Sequence, residues 1–169
     1  KVGIAHSLYN LGSVANIQCD SEVARTLLQE SLALYRDMGH SFLIHVLGAL
    51  GHVEREIGDY AQATTLYQES LRLRREQGDR VTTTCSLEDF AGLAGRQGQL
   101  ERAVRLLGAA EALCASLGRT LPVGLAAEYG RTVEAAHSAL SEEAFAAIWE
   151  EGRAMTLEQA VAYALMEAG

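Results

Sequence analysis

The stretch IGDYAQATTLYQESLRLRREQGD, residues Ile57 to Asp79, begins on Ile-Gly-Asp and ends on Gly-Asp. Between them Ala63, Leu66, Tyr67, Ser70, Leu71 and Arg74 recur at helical spacing and mark one stripe. Glycine takes the left-handed conformation after a helix at little cost, so Gly58 ends one helix and Gly78 ends the next. Asp59 is placed to cap the helix between them, with Gln62 three positions on as a capping-box partner. Upstream, Val46, Leu47, Leu50, Val53 and Ile57 show the same periodicity and run into Gly58. The stretch is therefore the second helix of a helix-turn-helix pair, with both turns included.

That pair has sisters. Gly39 precedes Gly78 by thirty-nine residues, and Gly118 follows it by forty. The same offsets align Leu11-Gly12 with Leu50-Gly51 and Phe90-Ala91, and Ala24 with Ala63 and Ala103. They also align Leu28 with Tyr67 and Leu107, and Ser31 with Ser70 and Ala110. LLQESLALYRDMG (27–39) and LYQESLRLRREQG (66–78) match over nearly their whole length. The pattern predicts six helices, 2–17, 21–38, 41–57, 60–77, 80–97 and 100–117, grouped as pairs 4–39, 40–78 and 79–118. A lone pair cannot bury its apolar face, so such pairs stack.

This spacing resembles the tetratricopeptide repeat over residues 4–118. The matching positions are Leu8, Leu47 and Leu87, then the Leu-Gly column, then the turn residues Cys19, Gly58 and Gly98. The period of 39–40 exceeds the family's usual one, the terminal proline is missing, and Cys19 replaces a turn glycine. The resemblance implies an all-α, right-handed superhelix of antiparallel pairs whose first helices line a concave recognition groove. Carried over by position, the groove-lining residues are Tyr9, Asn10, Ser13 and Asn16 from the first pair. His45, His52 and Arg55 come from the second pair, and Glu88, Asp89 and Arg96 from the third. The lysines of the family's carboxylate-clamp variant are absent.

In the tail, 119–169, Gly118-Arg-Thr-Leu-Pro122 reads as a loop, with Pro122 starting a helix that runs to about Leu140. Ser141 with Glu142 and Glu143 starts a short helix ending near Gly152, and Thr156 with Gln159 forms a capping box for a last helix, 157–167. The tail reads as an irregular fourth pair plus a closing helix of the same domain. Residues 86–167, through LAGRQGQLERAVRLLGAAEALCASLG and SEEAFAAIWEEGRAMTLEQAVAYAL, are also similar to the C-terminal helical arrays of bacterial LuxR-type signalling ATPases. That resemblance implies a sensor array beside a separate ATPase switch and a separate DNA-binding domain. The 169 residues contain no GxxxxGK[ST] and no DNA-reading helix-turn-helix, so the chain reads as a fragment of such a protein.

Composition narrows the function classes. The net charge is −8 and the pI about 5.1, which opposes contact with phosphate backbones. Apolar residues make up 49% of the chain, yet no run is long enough to span a membrane. Three dispersed cysteines, Cys19, Cys85 and Cys114, suit reduced thiols in a cytoplasm. His6, His45 and Cys85 share one repeat position, but stacked helices hold equivalent positions about 10 Å apart, too far for one metal ion. Arg72, Arg74, Arg75 and Arg80 lie among Glu69, Glu76 and Asp79 and read as a charged outer face. No GxSxG or HExxH supports catalysis. The expectation is a non-enzymatic module without cofactor or metal, binding a protein, peptide or small effector. The rival is a scaffold that forms homo-oligomers through its exposed first helix.

Overall fold

The computed structural model describes residues 1–118 and 126–166. Among the described residues every regular element is an α-helix: α1 Val2–Ile17, α2 Ser21–Asp37, α3 Leu43–Ile57, α4 Tyr60–Glu76, α5 Arg80–Arg96, α6 Leu100–Ser116, α7 Ala126–Ala139, α8 Glu142–Arg153 and α9 Leu157–Leu165. The expected helix start at Pro122 and the expected end at 167 lie outside the described residues. The largest shift in the repeats is at α3, which starts two residues late. There the amide of Phe42 donates to His40 Nδ1 (3.1 Å), which holds Ser41 and Phe42 in a turn.

The turns repeat one backbone solution. Cys19, Gly39, Gly58, Gly78, Gly98 and Gly118 all have positive φ, between 59° and 94°. Aspartates then start the helices: Asp20, Asp59 and Asp79 accept from the amides of Val23, Gln62 and Thr82. Gln62 does not complete the capping box, because the Asp59 amide already donates to Glu54 O (2.9 Å).

The chain forms two compact units, Lys1–Leu73 and Arg74–Gly169. In the first, Ala24, Leu28, Leu32, Tyr35, Val46, Leu47, Leu50, Val53 and Leu66 share one core. Glycine allows the helices of each pair to approach closely: a Cβ on Gly12 would meet Leu28, and one on Gly51 would meet the Tyr67 ring. The repeat also carries a buried hydroxyl, with Ser31 donating to Ala5 O (2.7 Å) and Ser70 to Ile44 O (3.2 Å). Ile57 leaves the stripe expected of it and is exposed at the end of α3. An ion pair joins α2 to α3: Arg25 Nε and Nη2 donate to the two oxygens of buried Glu54 (3.0 and 2.5 Å).

In the second unit α5 and α6 pair, and the tail folds onto them. α8 packs on α6, α7 on both α5 and α6, and α9 touches both. The expected fourth pair, α7 with α8, makes little contact with itself; each helix prefers the repeat helices. At the α6–α8 crossing Gly108 faces the Trp149 carbonyl and Gly152 faces the Arg105 carbonyl, so the two backbones touch. Arg105 secures the crossing through Glu151 and the Tyr163 hydroxyl (2.9 Å). Arg102 Nη2 donates to the carbonyls of Ala164 (3.0 Å) and Met166 (2.6 Å), satisfying the C-terminus of α9. The Ser141 cap and the full Thr156–Gln159 capping box form as the sequence reads.

Candidate functional site

In the first unit the candidate residues lie on α1 and α3. Asn10 and His45 are exposed, Tyr9, Ser13, Asn16 and His52 are half-buried, and Arg55 is buried. The Ser13 hydroxyl donates back to Tyr9 O (2.8 Å), and Arg55 pairs with Glu56 (3.2 Å). His52 meets the Tyr67 ring edge-on, 5.7 Å between centroids.

Around them stands a cluster of rings that the repeat alignment missed. Phe42 is its hub. His6, Tyr9, Tyr35 and His45 surround it at centroid distances of 5.0, 5.1, 5.2 and 5.0 Å. Tyr35 also contacts His40 (5.2 Å), and its hydroxyl lies 3.4 Å from His6 Nδ1. Phe42 escaped because its column is otherwise Gly3 and Thr82, so no periodicity marks it. Its place three residues before His45, on the same helical face, was the available signal. Partly open aromatic rings offer low-entropy contact area to an apolar or aromatic side chain, and the imidazole and phenol tips add hydrogen bonding.

In the second unit the first-helix face is covered. Of the α5 candidates, Arg96 is exposed, but Glu88 and Asp89, read from sequence as lining an open groove, are buried under the unit's own helices. α7 and α9 both pack on α5, and Thr132 of α7 fills the space beside Gly95. Glu88 is 7% exposed and neither of its carboxylate oxygens has a hydrogen-bond partner. Burial, then the neighbouring Asp89 charge, pushes its pKa up to about 7. The Tyr129 phenol is raised too, by burial and then by the charges of Glu111 and Glu88.

Among the described residues no three His, Cys, Asp or Glu side chains are grouped to hold a metal ion. The described helices include none long and apolar enough to cross a membrane. Arg74 is not part of an outer charged face: it turns inward and donates to Thr82 O (2.9 Å) and Ser86 Oγ (3.0 Å). Glu69 pairs with Arg36 of α2 instead of the nearby arginines. Trp149 is core packing, stacked on Phe145 and edge-on to Tyr129 beside Val104, Ala136 and Ile148.

The tetratricopeptide repeat family model matches residues 42–116. Proteins named "Putative HTH-type transcriptional regulator" from Mycobacterium bovis and from two strains of Mycobacterium tuberculosis are 39% identical to this chain over 79 residues. The match takes in 47% of this chain and 9% of each relative, so the chain corresponds to a small part of those proteins.

Proposed function

We propose, because residues 42–116 are a tetratricopeptide repeat segment, that this chain is the sensor array of a larger cytoplasmic bacterial regulator. It has no enzymatic role of its own. It binds a protein segment or effector, and a neighbouring switch domain reads the bound state. Three pairs, 4–39, 40–78 and 79–118, form the array, and 119–169 closes it. The observation that carries the reading is the ring cluster of Tyr9, Phe42, His6 and His45; the polar candidates Asn10, Ser13, Asn16 and His52 stand on the same two helices, α1 and α3. An aromatic anchor with polar neighbours is the composition of an interaction hot spot. The relatives' printed role in transcription supports the regulatory half of the proposal.

Of the α5 candidates, Arg96 is at the surface of its own unit. The test is affinity capture from native lysate with the chain as bait, followed by direct titration of the captured protein. The control carries Tyr9→Ala, Asn10→Ala and His45→Ala, with helicity confirmed by circular dichroism. A ligand captured by the first and lost from the second supports the groove. Equal capture by both removes it.

A further inference from the structure

α1 has no Asp, Glu, Lys or Arg among its sixteen residues, in a chain that is 21% charged. Ile4, Leu11 and Val14 fall on one stripe of this helix and are 63%, 57% and 49% exposed. Thirty-nine residues later, Leu50 and Val53 occupy the positions of Leu11 and Val14, at 3% and 0% exposure. The difference between α1 and α3 is α2. It packs against α3, and its Leu32 and Tyr35 share one core with Val46, Leu50 and Val53. The equivalent stripe of α1 has no such cover. It lies on the side of α1 opposite Tyr9, Ser13 and Asn16; of the α1 groove candidates only Asn10, one turn before Val14, borders it. A helix face with this much open apolar surface and no charge is built for contact.

We propose that the Ile4–Leu11–Val14 stripe is the docking surface for an amphipathic helix of the α2 kind, laid on α1 as α2 is laid on α3. The repeat dictates the occupant's chemistry. It presents a leucine and an aromatic residue three positions apart, as Leu32 and Tyr35 stand on α2. It differs from α2 at one place. Arg25 of α2 reaches Glu54 of α3, but Ala15 stands at the Glu54 position in α1. An arginine there would lose its partner, so the occupant is uncharged at that position. A second copy of the chain cannot donate its own α2, whose matching face already covers its α3.

A synthetic peptide of residues 20–39 carrying Arg25→Ala is the probe, because an isolated helix of this length is marginal in water and gains helicity on docking. Added to the intact chain, it should bind saturably and become helical, and the peptide that keeps Arg25 should bind more weakly. Chain carrying Leu11→Glu with Val14→Glu should bind at least about tenfold more weakly. Both sites are exposed, so the variant should keep its circular dichroism spectrum. On the unaltered chain, methyl shifts confined to Ile4, Leu11 and Val14 on peptide addition support the same face independently. Absence of binding at millimolar peptide, or equal binding by the double variant, overturns the proposal. So does a reversible dimer in sedimentation equilibrium that the double variant abolishes and the peptide fails to displace, which would make a second copy the occupant.

Discussion

Cys19 is the one non-glycine among the described residues with positive φ, at 62°. A Cβ in this region crowds the following carbonyl, and the five sister turns avoid that with glycine. The side chain is exposed and its thiol is free, so nothing evident offsets the strain. Cys19→Gly should stabilise the chain by about 1 kcal/mol, the relief of strain exceeding the entropy gained by the unfolded glycine. Thermal unfolding would register this as a rise of about 2–4 °C; an unchanged or lower midpoint would mean that the turn is relaxed as cysteine. The Leu-Gly column and the turn residues were legible in the sequence because each has a single steric reason and repeats. Phe42 was not, because its importance comes from rings contributed by three helices, α1, α2 and α3.

Helices in this chain are held to one another by two kinds of contact with opposite sensitivities. The Arg25–Glu54 pair spans α2 and α3 with Glu54 inside. Arg25→Ala strands a buried carboxylate and should cost about 3–5 kcal/mol, whereas Arg25→Ala with Glu54→Leu should recover most of that. Denaturant titrations of the single and double variants decide it; a double variant no better than the single would show that packing, not charge, is at stake. The α6–α8 crossing fails by volume instead. A methyl group on Gly152 would run into the Arg105 carbonyl, so Gly152→Ala should destabilise by about 1–3 kcal/mol. Gly3→Ala is the control, since a Cβ there meets nothing within 4 Å and alanine favours the helix. Helix positions were readable from caps and periodicity, down to the Thr156 box. The partners of the tail helices were not, because α7 and α8 outgrow the repeat offsets and dock by shape on α5 and α6.

Across the whole chain, stability should follow the proton affinity of Glu88. Its folded pKa, about 7, lies above its ordinary value of 4.5, so the folded state holds the proton more tightly than the unfolded one. Stability is therefore greatest below the unfolded value and declines as pH rises toward 7 and beyond. Asp79 acts in the opposite sense at lower pH: hydrogen bonding by Thr82 depresses its pKa, and its stabilising share is lost only in stronger acid. Thermal midpoints measured from pH 5 to pH 8 should fall, and Glu88→Gln should flatten the slope; a slope unchanged in that variant would assign it to other groups. The burial of Glu88 was invisible in the sequence, where an acidic residue on a first helix reads as solvent-facing. Only the covering tail reverses that. The turns, finally, bear on how such a gene changes length. Cys19, Gly39, Gly58, Gly78, Gly98 and Gly118 return the backbone to one conformation every nineteen or twenty residues. A duplication with both ends at such turns rejoins like to like and leaves every stripe in phase. A single inserted codon inside a helix rotates everything after it by about 100° and turns a buried face to water. Inheritance can add or remove such a chain's material by the copy, and only rarely by the residue.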